Sequence, residues 1–301
     1  MQNLMEKSPV AQGYLFALGA TALWSGNFIM ARGLSDLVPP VSISFFRWLT
    51  AVIFFMPFAL KTTVRERAVI RKHLGYLSLV SLVGVSCFNT FIYIASHTTS
   101  AMNLSLISIT FPVFILILSR FLYGHELNGQ TLFGVVLVMA GVLALISKGK
   151  LSVLLHLTFA VGDLWVLGAS VLFAVYSILL KRRPEGISLF SLQFATFVLG
   201  LAFLVPFFLW EQTTVAHSYL TLKSLGAFLY MGIFASLFAF VFWNKAVEVA
   251  GPGRAGMIYY TLPLFCGLWG YLFLGEPVGW VHLLSLCLIL GGIVMTNRST
   301  S

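Results

Sequence analysis

The chain has 301 residues, of which 59% are hydrophobic and only 9% charged, and its mean hydropathy is +0.97. A water-soluble domain carries roughly 25% charged residues, so this composition excludes a soluble enzyme or a cytosolic binding module. The net charge of +9 would suggest nucleic acid in a soluble protein. Here the basic residues fall in loops between apolar stretches, where they set membrane orientation, and nucleic acid is excluded as a partner.

A membrane-crossing helix needs about 20 mostly apolar residues. On that ruler the predicted fold is all-α and polytopic, with ten transmembrane helices near 12–31, 41–60, 74–95, 100–122, 128–146, 163–181, 189–209, 220–245, 254–274 and 280–297. The runs are too long and too uniformly apolar for the strands of a barrel. The first run is read as a span, not a cleaved leader, because no small-residue cleavage site leads into polar sequence.

The second five stretches echo the first five. Gly13-x-Leu15-x-x-Leu18-Gly19-Ala20 is answered by Gly162-x-Leu164-x-x-Leu167-Gly168-Ala169, Thr110-x-Pro112-x-Phe114 by Thr261-x-Pro263-x-Phe265, and Glu126-x-x-Gly129 by Glu276-x-x-Gly279. The offsets are 149, 151 and 150 residues, one diagonal with small insertions. Five spans per copy is an odd number, so the second copy enters the bilayer inverted. Residues 1–146 form the first five-helix repeat, 147–162 a linker, and 163–301 the second repeat. Two inverted repeats with a site between them is a secondary-transporter architecture.

Charge agrees with that plan. With both termini cytoplasmic, that side holds thirteen basic residues, among them Lys61, Arg65, Arg67, Arg71, Lys72, Lys181, Arg182 and Arg183, against four (Arg32, Lys148, Lys150 and Lys223) on the other. The positive-inside rule then fixes the orientation.

Polar residues within the spans mark where a cavity would lie. They are Trp24, Ser25 and Asn27 in helix 1, Asn89 and Tyr93 in helix 3, and Asn103 in helix 4. In the second half they are Tyr176 and Ser177 in helix 6, Ser236, Trp243 and Asn244 in helix 8, and Tyr259 and Tyr260 in helix 9. Taken singly, each reads as interhelical glue worth well under ~2 kcal/mol, or as part of an interfacial aromatic belt. Taken together on paired helices, they read as a lining: aromatic faces for a ring or an ammonium group, and amides for a zwitterion. Helices 5 and 10 are nearly all aliphatic and small, which suits packing or lipid-facing support.

Arg47 is the outlier, a cation inside helix 2 where an arginine costs ~3 kcal/mol even on the lenient scale. Two roles stay open: pairing with a substrate carboxylate, or snorkelling to the interface and capping carbonyls of a neighbouring helix, the second being favoured. Lys245 and Glu248, at i,i+3, are expected to pair as a gate-side or structural ion pair. Pro112 and Pro263 predict kinks at equivalent places in helices 4 and 9. All nine acidic residues fall in loops or near helix ends, so no mid-span carboxylate neutralises a cationic drug, and a net-neutral substrate fits better. Cys87, Cys266 and Cys287 are packing residues. No metal site, cofactor motif or catalytic arrangement is visible.

These residues resemble a family. Ala22-Leu23-Trp24-Ser25-Gly26-Asn27-Phe28, Arg47 in helix 2, and Pro263 followed by Gly275-Glu276-Pro277, set in ten helices as two inverted fives, resemble the drug/metabolite transporter superfamily of EamA type over essentially the whole chain. The first copy of the Gly-Glu-Pro turn is degraded, with Leu127 where the second has Pro277. Within it the chain looks like the YddG group of bacterial inner-membrane exporters. The resemblance implies a multi-pass exporter of aromatic and other neutral amino acids; the chain is expected to be a monomer and to work by alternating access of its two inverted halves. It also implies a central cavity lined by Trp24, Asn27, Asn89, Tyr93, Asn103, Tyr176, Trp243, Asn244, Tyr259 and Tyr260. The alternatives are a permease for other small metabolites or toxic amphiphiles such as cationic drugs, and, further off, a membrane enzyme or a lipid handler.

Overall fold

The computed structural model describes residues 9–99, 104, 107–124, 129–147, 149–156, 160–214, 220–274 and 279–298. Asn103, Lys148, Glu126, Leu127 and the Gly275-Glu276-Pro277 turn lie outside them. Among the described residues there is no strand. The principal helices are α1 (Pro9–Leu34), α2 (Pro40–Arg65), α3 (Leu74–Thr98), α4 (Phe111–Tyr123), α5 (Gly129–Ile146), α6 (Val161–Leu180), α7 (Leu189–Thr214) and α8 (Leu222–Ala250). Then come α9, in two pieces, Pro252–Tyr259 and Leu262–Leu274, and α10 (Trp280–Arg298). Short helices at Arg67–Lys72 and Leu151–Leu155 join α2 to α3 and α5 to α6.

Six of these, α1, α2, α3, α6, α7 and α8, are long and apolar enough to cross a bilayer, and shorter apolar helices run over Phe111–Leu122, Gly129–Ala144 and Leu283–Thr296. Large apolar side chains such as Phe58, Phe121, Leu164 and Phe207 face outward. A soluble protein would not expose so many rings together, whereas lipid accepts them.

The halves interlock rather than merely touch. α1 packs on α8, α3 on α6, α2 on α7 and α5 on α10, so every main pairing crosses from one half to the other. Small residues permit it, and they do so in repeat-related places. A methyl on Gly13 of α1 would lie 2.6 Å from Ala250 Cβ of α8, and one on Gly162 of α6 would lie 2.9 Å from the Ala95 carbonyl oxygen of α3. Gly134 and Gly292 let α5 and α10 meet backbone to backbone, the close approach small residues allow in lipid. Along α2 and α7 the fit is aromatic: Phe45 stacks on Phe208 at 4.0 Å and Trp48 meets Phe197 at 4.6 Å.

Each end of the α2–α7 pair is tied by a glutamate from the opposite helix. Glu211 of α7 accepts the Val41 N–H at 3.0 Å, the Ser42 N–H at 2.6 Å and the Ser42 hydroxyl at 2.7 Å, neutralising the orphan donors and positive dipole end of α2. Glu66, just past α2, accepts the Ser188 N–H at 2.9 Å and its hydroxyl at 3.0 Å where α7 begins. Pro57 and Pro206 sit inside α2 and α7 at the repeat offset.

Three local features depart from the sequence reading. The expected proline kinks are full breaks: turns at Ile109–Thr110 and Tyr260–Thr261 precede restarted helices in which Pro112 and Pro263 occupy the first turn, the position where a missing N–H is harmless. Thr110 and Thr261 each donate their hydroxyl three residues back, to Ile107 O at 2.6 Å and Ile258 O at 2.7 Å. Secondly, α3 and α8 contain π-helical stretches, Leu82–Cys87 and Tyr230–Phe238, which composition does not signal. Thirdly, α8 ends at Gly251, with φ 83° and ψ 159°, a conformation confined to glycine.

Candidate functional site

Arg47 is the centre of a buried polar cluster. Its residue is 1% exposed, so it does not snorkel, and the expectation that it reaches the interface is corrected. The α2 register turns it inward between Ser44 and Trp48, both buried. Nη1 donates to Asn27 Oδ1 (3.2 Å), Asn89 Oδ1 (2.6 Å) and Tyr93 Oη (2.6 Å). On the other side Nη2 donates to Ala235 O at 2.8 Å and Nε to the Ser236 hydroxyl. The carbonyl-capping half of the expectation is therefore met, and the capped carbonyl belongs to the π-helical stretch of α8. π-Bulges loosen the regular ladder and are frequent at functional sites.

No carboxylate of the described residues pairs with Arg47. Among the described residues the ion pairs are Arg183–Glu248 and Lys245–Glu248, so the guanidinium is held by dipoles and by the Trp48 ring, 5.0 Å from Cζ. A buried charge ordinarily has an opposite charge beside it. This one has neutral acceptors on one face and aromatic rings on another.

A second cluster lies in the other half. The Tyr176 hydroxyl donates to Asn244 Oδ1 at 2.7 Å, Asn244 Nδ2 to Gln193 Oε1, and Trp243 Nε1 to the Ser177 hydroxyl at 3.1 Å. Gln193 Nε2 is buried with no acceptor. The two clusters are repeat counterparts. In the first half the α3 tyrosine, Tyr93, donates to the α1 asparagine, Asn27, at 3.1 Å; in the second the α6 tyrosine donates to the α8 asparagine. Offsets of 149 and 151 residues map Asn27 onto Tyr176 and Tyr93 onto Asn244, so the bond is kept with donor and acceptor exchanged.

Aromatic rings separate the clusters. Phe173 of α6 meets Trp24 at 5.3 Å, Phe88 at 4.6 Å, Phe111 at 5.0 Å, Trp243 at 5.3 Å and Tyr176 at 5.5 Å. Beside the first cluster a cavity of about 20 Å³ is lined by Trp24, Asn27, Phe28, Phe88, Asn89, Ile92, Phe173 and Tyr259. Small-molecule sites hold roughly 300–1,000 Å³, so this chamber is closed. Beside the second cluster lies an open vestibule of about 390 Å³ with Asn244, Leu192 and Val247 on its wall and Lys181, Arg183 and Glu248 also lining it.

Of the residues expected to line a cavity, Trp24, Asn27, Asn89 and Tyr259 border the closed chamber and Asn244 borders the vestibule. Tyr93 reaches the chamber through its bonds to Asn27 and Arg47. Tyr176 and Trp243 stand behind the aromatic partition. Tyr260 is fully buried with an unpartnered hydroxyl and lines neither space. Glu248 accepts from Lys245 Nζ and from Arg183 Nη2, both at 2.8 Å, a three-membered network beside the vestibule. Sequence reasoning missed Arg183 in that network, Gln193, and Phe173. The last was within reach, since it is the repeat counterpart of Trp24. Among the described residues no cluster of His, Cys, Asp or Glu could hold a metal.

The chain is 28% identical over 279 residues to an uncharacterized transporter of Archaeoglobus fulgidus, an alignment covering 91% of this chain and 93% of that protein. It is 24% identical over 285 residues to the uncharacterized transporter YetK of Bacillus subtilis, covering 94% and 86%. A solved structure described only as a crystal structure of a protein matches the fold with a TM-score of 0.75 at 19% identity, over 96% of this chain and 98% of that one. The family model described as EamA-like transporter family matches twice, at residues 11–147 and again at 160–298. Two family-sized helical units, interlocked around a buried polar centre, place this chain in the EamA-like transporter family, as a membrane transporter.

Proposed function

We propose that this protein exports amino acids, aromatic and other neutral ones favoured, across the bacterial inner membrane by alternating access, as the YddG group is known to do. In this reading all ten helical segments cross the bilayer, residues 1–146 and 163–301 are inverted five-helix repeats joined by 147–162, both termini are cytoplasmic, and a single chain does the work. The observation that carries the substrate class is Arg47, a buried cation whose partners among the described residues are neutral, two of which, Asn27 and Asn89, line one chamber with Trp24, Phe173 and Tyr259. A guanidinium suits a carboxylate, the rings suit an aromatic side chain, and the same positive charge repels a lipophilic cation. The small chamber and the open vestibule fit a state accessible from the vestibule side. On the charge bias of the loops, that side is the cytoplasmic one.

The test is flux in proteoliposomes offered radiolabelled phenylalanine, tryptophan, glycine and a lipophilic dication. Phenylalanine and tryptophan are expected to move and the dication to stay. Movement of the dication alone overturns the reading.

A further inference from the structure

We infer that the end of the molecule where α2 passes to α3 and α6 passes to α7 is a docking surface for anionic phospholipid headgroups. The headgroups are bound through the exposed side chains of Lys61, Arg65, Arg67, Arg71 and Lys72. The inference is independent of the substrate reading.

The outward face of α2 shows where the headgroups lie. Phe54, Phe58, Lys61 and Arg65 are spaced i, i+4, i+7 and i+11, one face of a helix, and all four are exposed. The first two are rings, 44% and 71% exposed, and the last two are cations. Within about 10 Å of helix, from Phe58 to Arg65, the face that suits acyl chains becomes one that suits phosphates. The short helix that follows, Arg67–Lys72, keeps its charges outward. Val69 and Ile70 are half-buried and pack on the core, while Arg67, Arg71 and Lys72 are exposed. On α3, Leu74 and Leu79 are exposed, so the chain returns from cations to lipid-facing side chains.

The positive-inside rule asks only that basic loops lie on one side. It does not ask that two loops, one from each half, be fastened together, and here they are. Ser188 donates its N–H at 2.9 Å and its hydroxyl at 3.0 Å to Glu66, and a methyl on Gly186 would meet Val69 at 3.7 Å. That fastening brings the exposed Lys181 and Arg182 of the α6–α7 connection to the same end of the molecule. Little opposes the charge. Glu66 is committed to Ser188, Glu248 already holds Arg183 and Lys245, and Glu185 remains. Among the described residues none of the five cations on the α2–α3 side is in an ion pair. Basic clusters of this size at a helix end recognise anionic headgroups, with about a fivefold gain in affinity per charge.

The test titrates delipidated full-length protein in neutral detergent with phosphatidylglycerol or with zwitterionic phosphatidylcholine, and reads bound lipid by native mass spectrometry. The unmodified protein is expected to prefer phosphatidylglycerol by about tenfold or more, and by less at high salt. Arg67→Gln, Arg71→Gln and Lys72→Gln together should weaken phosphatidylglycerol on the order of a hundredfold and leave phosphatidylcholine unchanged. Should that variant fail to fold, Lys61→Gln with Arg65→Gln carries the same prediction at about twentyfold. Lys150→Gln with Lys223→Gln, at the opposite end, should change nothing. No preference for phosphatidylglycerol, an equal loss in the opposite-end variant, or displacement of the lipid by equimolar inorganic phosphate (a soluble-anion site) overturns the docking surface. Flux plays no part in the readout, so its absence leaves this inference standing, and a failure here leaves the transport reading standing.

Discussion

Replacing Arg47 with methionine separates a structural role from a substrate role, because the structure shows how little the fold would lose. Of the five groups that accept from the guanidinium, four keep another bond. Asn27 Oδ1 retains the Tyr93 hydroxyl at 3.1 Å, and Tyr93 is the donor in that same bond. Ala235 O retains Trp24 Nε1 at 2.9 Å, and Ser236 still donates to Met231 O at 2.8 Å. Only Asn89 Oδ1 is left without a partner, which costs about 1–3 kcal/mol. Against this stands relief from burying a charge, since apolar replacement of buried ionic groups is often neutral or stabilising. The expected net change in stability is therefore at most about 2 kcal/mol, a shift of a few degrees in Tm. Transport should respond far more. Leaving a buried carboxylate without its charged partner costs about 2–5 kcal/mol, which is roughly 30- to 5,000-fold in kcat/KM. The assay pairs thermal unfolding in detergent with phenylalanine flux, and adds phenethylamine, which lacks the carboxylate. Arg47→Met is expected to lose the preference for phenylalanine over the amine along with most of its rate. A folded variant that transports within about twofold of wild type refutes the carboxylate assignment. One that fails to fold shows that Arg47 is chiefly structural.

Glu211→Gln keeps the shape of the α2 cap but removes the charge facing two N–H groups and a hydroxyl; a loss of about 1.5–3 kcal/mol is expected in thermal unfolding. At the other end of the same helix pair, partial burial pushes the Glu66 carboxyl up, but bonds from the Ser188 N–H and the Ser191 and Ser188 hydroxyls, with Arg65 nearby, outweigh it and hold the pKa below 4.5. A depressed carboxylate stabilises above its unfolded value and stops doing so as pH falls through the folded one. The Tm difference between wild type and Glu66→Gln should therefore shrink as pH drops below 4.5, and a pH-independent difference would contradict the cap. Gly84→Ala drives a methyl into the Tyr176 ring, whereas Gly226 has nothing within 4 Å. The first should cost about 1–3 kcal/mol or more by overpacking, while Gly226→Ala should be neutral or stabilising by up to about 1 kcal/mol, both read by thermal unfolding.

Much of the fold was legible because apolar length and repeated motifs are one-dimensional signals. The Gly13 and Gly162 motifs gave the repeat, and in the structure those same glycines are the tight contacts of α1 on α8 and α6 on α3. The polar inventory found Asn27, Asn89, Tyr93, Ser236 and Asn244 because polar side chains in an apolar run stand out. The π-helical stretches were invisible: a change from i,i+4 to i,i+5 bonding over Tyr230–Phe238 depends on what faces the helix, here Arg47 on Ala235 O, and not on composition. Gln193 was overlooked because its meaning lies in an unmet donor, which exists only in three dimensions. The proline breaks were half-seen, since the sequence shows the missing N–H but not that a threonine hydroxyl ties the preceding turn.

The asymmetry between the two polar clusters bears most directly on mechanism. An inverted repeat with identical centres would present a substrate with equal wells on either side of the Phe173 partition. Here one centre carries a guanidinium and a closed aromatic wall, and the other carries amides and an open vestibule. The helix pairs that lie between the repeats, α2 with α7 and α5 with α10, are tied along their lengths, the first by reciprocal glutamates, the second by glycine contacts. The pairs that exchange between repeats, α1 with α8 and α3 with α6, carry the tyrosines and asparagines of both clusters and both π-helical stretches. In the proposed cycle the glutamate-tied and glycine-tied pairs therefore hold, and the cluster-bearing pairs move. Arg47, anchored on a held helix but bonded to the α8 carbonyl at Ala235, is where substrate binding meets that motion. A carboxylate that takes the guanidinium competes with α8 for it and frees the moving pair.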